Sequence, residues 1–143
     1  MSENQARELV QQIQMIEMYL ADLNQREDTL VSVLREATAA IESLKSIKDT
    51  SDSETLMPVG LGTYIQSKIT ASNKVFLNIG AGIVIKKDAD SAMNYLEARI
   101  KEAQVAIQDT LAKKHDATAK LEQGKAHINQ LMQSRQNPGS SNV

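Results

Sequence analysis

The sequence predicts an α+β fold, in which two long helices pair antiparallel as a coiled coil and are joined by two β-hairpins. Residues 3–48 and 88–136 each carry a heptad repeat and contain almost no Gly or Pro. The stretch 54–87 between them holds four of the six glycines and a cluster of Val and Ile. We therefore treat residues 1–143 as one domain, with a flexible tail over residues 137–143.

The first helix is predicted from an unbroken heptad pattern. Position a falls on Ala6, Ile13, Leu20, Glu27, Leu34, Ile41 and Lys48, and position d on Leu9, Ile16, Leu23, Leu30, Ala37 and Leu44. A sustained period of 3.5 residues is typical of a left-handed coiled coil rather than an isolated amphipathic helix. Ser2 and Gln5 have capping-box spacing, so we expect the helix to begin near residue 3.

The second helix repeats the pattern with a weaker second half. Position a falls on Met93, Ile100, Ile107, Lys114, Leu121 and Ile128, and position d on Leu96, Ala103, Thr110, Ala117, Gly124 and Leu131. Asp88 is a suitable N-cap. The near-equal lengths favour antiparallel pairing, although two helices of a compact bundle remain an alternative. Pairing centred near residue 68 places Glu27 opposite residues near 108, which argues against a direct pair with Lys114.

The middle segment is predicted to form two hairpins. Alternating apolar residues and turn signals indicate four strands, at about 55–59, 62–69, 74–79 and 82–86. Two Gly-x-Gly segments begin at Gly60 and Gly80. They lack the third glycine and the following helix of a phosphate-binding loop, so we interpret them as tight turns or bulges.

Composition argues against several classes of function. The net charge of −2 provides no field that would attract nucleic acid or an anionic membrane. The chain has no Cys, and its two histidines, His115 and His127, lack metal-ligand spacing. We therefore expect no enzyme, no catalytic residue, no metal and no cofactor. The start of the chain does not resemble a signal peptide and no apolar run is long enough to span a membrane, so we expect a cytoplasmic protein.

The strands are expected to mediate assembly with other chains. Two hairpins do not form an independently stable sheet, and their open edges expose unpaired backbone groups. The simplest remedy is that hairpins from several chains join into a larger sheet or barrel. The residues assigned to this contact are Val59, Ile65, Ile69, Val75, Leu77, Ile79, Ile83 and Ile85.

Apolar residues outside the a/d positions are candidates for binding. Val10, Met15, Met18 and Tyr19 lie in the first half of the first helix, and Met132 lies near the end of the second. Flexible Met side chains suit loose contact with varied apolar partners. The alternative is ordinary scatter, because Val31, Val33, Val105 and Leu111 are also outside these positions and lie further along the helices.

Two strand segments, together with the flanking heptad helices, resemble the alpha class of the archaeal prefoldin family. The segments run from Pro58 to Ile65 (PVGLGTYI) and from Val75 to Lys87 (VFLNIGAGIVIKK). The resemblance covers nearly the whole chain. It implies a hexamer of two alpha and four beta subunits, with two β-barrels built from the hairpins and six coiled coils extending from them.

The resemblance also implies a function. Prefoldin is an ATP-independent chaperone that captures unfolded polypeptides between the ends of its coiled coils and transfers them to a group II chaperonin. The client-binding candidates implied by position are Leu9, Val10, Ile13, Met15, Met18, Ile128, Leu131 and Met132. The alternative function is a structural or adaptor coiled coil that binds one specific partner.

Overall fold

The computed structural model describes residues 3–49, 52–70 and 74–136. Its elements are α1 (Glu3–Asp49), β1 (Asp52–Gly60), β2 (Thr63–Thr70), β3 (Val75–Gly80), β4 (Ile83–Lys87) and α2 (Ala89–Gln136). The predicted α+β class is confirmed, with one long helix before the two hairpins in the sequence and one after them. The predicted cap at Ser2 and the tail over 137–143 lie outside the described residues.

The chain divides into two compact units, and each is described by itself. The coil unit is Met1–Val31 with Val105–Val143, and the hairpin unit is Ser32–Gln104. The coil unit contains only helical residues among those described, whereas the hairpin unit contains all four strands and the adjoining parts of both helices.

The two helices of the coil unit run antiparallel. An ion pair joins Glu17 to Lys125, and a second joins Glu27 to Lys114. As the residue number rises along α1, the number of the facing residue in α2 falls. Gly124 faces Ile13 so closely that an added Cβ would lie 3.1 Å from the Ile13 Cγ1 atom. Glycine at this position therefore lets the two helices approach each other closely beside Ile13.

Burial confirms the heptad pattern. The buried residues lie at predicted a or d positions with one exception, Ala92, and they are Ile13, Leu23, Ala37, Ile41, Ala92, Ala103, Thr110 and Ala117. Thr110 is only 1% exposed, and its hydroxyl donates a hydrogen bond of 2.7 Å to the Ala106 carbonyl oxygen one turn earlier. The polar side chain is therefore satisfied within its own helix and is compatible with the core.

The expectation that Glu27 and Lys114 do not pair is wrong. The Lys114 Nζ atom lies 2.6 Å from the Glu27 Oε2 atom, and each side chain is about one quarter exposed. Cβ atoms tilt toward the N-terminus of their own helix. In an antiparallel pair this tilt points Glu27 and Lys114 toward each other, so two long side chains span the turn that separates their backbones.

Both Gly-x-Gly segments close two-residue hairpin turns, as predicted. In hairpin 1, β1 pairs antiparallel with β2, and Gly60 lies opposite Thr63. In hairpin 2, β3 pairs with β4, and Gly80 lies opposite Ile83. The register shifts by one residue just before each turn, which is the signature of a bulge. The residues between, at 61–62 and 81–82, all have positive φ, as type I′ turns require.

The end of α1 and the start of α2 meet within the hairpin unit. Lys48 donates a hydrogen bond to the Asp90 carboxylate, which raises the pKa of Lys48. The Ser91 backbone N–H donates a hydrogen bond of 2.8 Å to the Asp88 Oδ1 atom. Asp88 is therefore the N-cap of α2, as predicted, and this hydrogen bond lowers the pKa of its carboxyl group.

Candidate functional site

A groove lies where the beginning of α1 meets the end of α2 in the coil unit. We call it the terminal groove. Its volume is about 420 Å³, and its lining residues are Ala6, Val10, Ile128, Leu131, Met132, Ser134 and Arg135. Both helices contribute apolar side chains to it. Val10 and Met132 are exposed, while Ile128 and Leu131 are half-buried.

The terminal groove unites four of the eight predicted client-binding residues, namely Val10, Ile128, Leu131 and Met132. The other four lie elsewhere on the same unit. Ile13 is 8% exposed and packs against Gly124, so it is a core residue, and Leu9 is half-buried at a d position. Met15 and Met18 are each 70% exposed on α1 but do not line the groove.

Sequence reasoning missed Arg135 and Arg7. Arg135 lines the terminal groove. Arg7 lines a second, shallower groove of about 350 Å³ with Gln11, Ala6 and Val10, of which the last two are shared with the terminal groove. Extending the heptad by seven residues beyond Ile128 places Arg135 at position a. A charged residue at the last apolar position of the repeat could therefore have drawn attention to Arg135.

A second candidate surface lies on the hairpins. The large apolar side chains that are exposed there are Leu56, Met57, Val59, Leu61, Tyr64, Ile65, Phe76, Ile79, Ile83 and Val84. We call this set the hairpin surface. It holds ten of the seventeen large apolar residues found exposed in the described chain, although the strands are a minor part of its length. This concentration is far above ordinary scatter and is typical of a contact surface.

The two faces of hairpin 2 differ in burial. Val75, Leu77 and Ile85 are half-buried, and register places Leu77 opposite Ile85. Phe76 and Val84, on the opposite face, are exposed. Phe76 and Val84, which were not among the predicted assembly residues, are therefore free for contact with another chain, as are the predicted residues Ile79 and Ile83.

Hairpin 1 shows the same division near its open end. Ser53, Thr55, Ser67 and Ile69 are half-buried, and Ser53, Thr55 and Ile69 share a shallow groove with α1 residues that include Ala39 and Ile47. Toward the turn, apolar side chains on both faces are exposed, and they are Leu56, Met57, Tyr64 and Ile65. Of the predicted assembly residues, Val59, Ile65, Ile79 and Ile83 are exposed, whereas Ile69, Val75, Leu77 and Ile85 are half-buried.

The first turn residue is Leu61 in hairpin 1 and Ala81 in hairpin 2. Leu61 and Ala81 occupy the same left-handed position, with φ of 46° and 52°. Gly, Asn or Asp would normally be found there, because a side chain crowds the backbone in this conformation. The Leu61 side chain is fully exposed.

Two further properties concern the described residues as a whole. None of the helices in the described ranges has a stretch apolar and long enough to cross a membrane. No group of three His, Asp or Glu side chains in residues 3–49, 52–70 and 74–136 is arranged to hold a metal ion.

Comparison with known proteins points to one family. A family model described as "Prefoldin subunit" matches residues 2–136. The prefoldin subunit alpha of Nitrosopumilus maritimus is 60% identical over 139 residues, which cover 97% of this chain and 96% of that protein. The prefoldin subunit alpha of Methanoculleus marisnigri is 33% identical over 122 residues, covering 80% of this chain and 78% of the relative.

A solved structure agrees at the level of fold. The crystal structure of the prefoldin beta subunit from Thermococcus strain KS-1 superimposes with a TM-score of 0.61 at 17% sequence identity, covering 89% of this chain and 91% of the other. Because the family model and the alpha-subunit relatives match nearly the whole chain, the alternative of a structural or adaptor coiled coil with a single partner is not favoured.

Proposed function

This chain belongs to the prefoldin family, as a chaperone subunit of the alpha class, and on that premise we propose that it captures unfolded polypeptides at the terminal groove without using ATP. The observation that carries the proposal is the terminal groove itself, where two helices together present apolar side chains to solvent. An unfolded chain offers apolar segments of varied sequence, and a shallow apolar groove accommodates them without selecting one.

The chemistry of the groove suits weak and repeated contact. Met132 has a flexible side chain that adapts to partners of different shape. One such groove binds weakly, but several grooves in one assembly would act on one client, and their combined affinity exceeds that of each contact. The two Gly-x-Gly segments close hairpin turns, so neither offers a helix N-terminus that would hold a nucleotide phosphate.

The hairpin surface is the proposed site of assembly. Both faces of the strands near the hairpin 1 turn are apolar and exposed, and hairpin 2 exposes Phe76 and Val84. A β-barrel shared between subunits would cover these side chains and would pair the open strand edges at the same time. We infer prefoldin beta subunits as the partners, two alpha with four beta.

The remaining steps follow from the family rather than from the geometry. We infer that the assembly works in the cytoplasm and passes its clients to a group II chaperonin. The proposal assigns no catalytic step, cofactor, nucleic-acid contact or membrane contact to this chain.

Client capture is tested with a matched pair of double variants. Val10→Ser with Met132→Ser removes two exposed apolar side chains from the terminal groove. Val105→Ser with Leu111→Ser removes two of comparable exposure outside it. Each variant is assembled with a beta subunit from the same source, and light scattering follows the aggregation of a denatured, diluted enzyme without ATP.

We expect the groove variant to suppress aggregation less than wild type does, and the control variant to match wild type. Equal protection by both variants would show that the groove does not bind clients and would support scatter of the exposed apolar residues. Size-exclusion chromatography with multi-angle light scattering confirms that each variant still assembles.

Assembly is tested at the exposed face of hairpin 2. Phe76→Ser with Val84→Ser should prevent or weaken the complex with the beta subunit, because both side chains are exposed in the single chain and would be buried on assembly. The control is the Val105→Ser, Leu111→Ser variant. A hairpin variant that forms the complex at the wild-type concentration would contradict the proposed contact.

A further inference from the structure

We propose that the terminal groove prefers apolar client segments that are flanked by acidic side chains. The inference rests on the proposed function, because it assumes that the groove binds unfolded polypeptides. It concerns Arg135, which lines the terminal groove, and Arg7, which lines the shallower groove that shares Ala6 and Val10 with it.

Neither guanidinium group has an ion-pair partner among the described residues. Three lysines of the coil unit do have one. Lys113 pairs with Asp109, Lys114 with Glu27, and Lys125 with Glu17. The two arginines beside the groove therefore keep their charge available to a ligand.

Carboxylates are scarce around the groove. The residues that line it and its shallower neighbour include no Asp or Glu. The sequence of α2 contains no acidic residue after Glu122. On α1, Glu3 and Glu8 lie near Arg7 in sequence, but both are exposed and neither lines either groove.

Arg135 also stabilises the end of α2, and this effect must be distinguished from the binding of a client carboxylate. It lies in the last turn of α2, where a cation interacts favourably with the helix dipole and the terminal carbonyl groups. That role affects helix stability and does not require a client. Arg7 lies in the second turn of α1, where a cation faces the unfavourable end of the dipole, so its position is not explained in this way.

The geometry points to a defined class of ligand. An apolar segment would lie in the groove, and carboxylates flanking that segment would be within reach of Arg135 in the groove and of Arg7 next to it. A guanidinium group binds a carboxylate through two parallel N–H···O hydrogen bonds, which a lysine ammonium group cannot form. Because both arginines are near the surface, the preference should be modest and should weaken as salt is added.

The test uses three labelled peptides with one shared apolar centre, flanked by Glu, by Gln or by Lys. Fluorescence anisotropy measures their binding to the complex of this chain with a beta subunit. We expect the Glu-flanked peptide to bind roughly three- to tenfold more tightly than the Gln-flanked peptide at low salt, from two exposed charge pairs. The Lys-flanked peptide should bind most weakly.

Variants assign the preference to this chain. Arg7→Gln with Arg135→Gln should remove the difference between the Glu- and Gln-flanked peptides. Arg26→Gln with Lys120→Gln changes the net charge equally, at exposed cations outside the groove, and should preserve the difference. Circular dichroism confirms that all variants remain equally helical, which separates binding from the effect of Arg135 on the helix end.

Equal affinity of wild type for the Glu- and Gln-flanked peptides would overturn the inference and leave client capture intact. A preference that survives in Arg7→Gln, Arg135→Gln would also overturn it, because the charge would then come from another site or subunit. If no peptide binds, or if Val10→Ser with Met132→Ser fails to weaken the Gln-flanked peptide, the proposed function of the groove fails as well.

Discussion

The ion pair between Glu27 and Lys114 should stabilise the coil unit more than an exposed pair does. The charged atoms are 2.6 Å apart, and each side chain is about one quarter exposed. At this distance the Coulomb attraction is about 1.6 kcal/mol in bulk water and about 6 kcal/mol at an effective dielectric constant near 20. Desolvation and lost side-chain freedom offset most of the larger value, so we expect a coupling energy of about 1–2 kcal/mol.

The coupling is measured with a double-mutant cycle of Glu27→Gln, Lys114→Gln and their combination. The control cycle uses Asp109→Asn and Lys113→Gln, a pair 3.0 Å apart on the surface of α2 with both side chains about half exposed. Exposed pairs of this i, i+4 type contribute about 0.3–0.5 kcal/mol. The two cycles therefore share a helix and a method and differ mainly in burial.

Urea denaturation of the complex with the beta subunit, followed by circular dichroism, gives the free energy of unfolding. All variants are compared at one protein concentration, because assembly makes the midpoint depend on concentration. High salt should reduce the coupling of the Asp109–Lys113 pair more than that of the Glu27–Lys114 pair. Equal coupling energies in the two cycles would refute the argument that the a/d seam shelters this ion pair.

Three further predictions concern the hairpins and the cap of α2. Gly60→Ala should lower stability by about 1–3 kcal/mol, because Gly60 has φ of 120° and the added Cβ would meet no neighbour, so the cost is backbone strain alone. Ala81→Asn should raise the stability of hairpin 2 by about 1 kcal/mol, because Asn tolerates the left-handed position better; an unchanged urea midpoint would contradict this. Asp88→Ala should lower the melting temperature at neutral pH. The difference in melting temperature between wild type and Asp88→Ala should shrink as the pH falls below the usual pKa range of Asp, and should vanish below the lowered pKa of Asp88. The reason is that a protonated Asp88 carboxyl group no longer stabilises the helix cap. A difference that persists at low pH would contradict this role of the Asp88 charge.

The helices and turns could be predicted from sequence because their signals are local. The a and d positions follow from spacing alone, and burial of Leu23 and Ile41 agrees with them. The turns at Gly60 and Gly80 follow from the need for positive φ, which few residues meet. In each case the physical cause lies within a few residues of the effect.

The contacts between elements could not be predicted in the same way. The Glu27–Lys114 pair depends on the tilt of two side chains across the helix interface, which a count of facing positions ignores. The groove position of Arg135 depends on where α1 begins relative to the end of α2. Both are properties of pairing rather than of either helix alone.

The buried face of each hairpin strand was the feature that the sequence predicted least well. Alternation identifies two faces of a strand but not which one meets the same chain, and here each face carries apolar side chains. Val75, Leu77 and Ile85 are half-buried within the hairpin unit, while Phe76 and Val84 on the other face stay exposed. Ile83 lies on the same face of β4 as the half-buried Ile85 but is exposed, so this chain alone leaves apolar side chains uncovered on both faces of hairpin 2. The apolar pattern of these strands is therefore explained by the proposed assembly, in which strands of a partner subunit would cover the side chains that this chain leaves exposed.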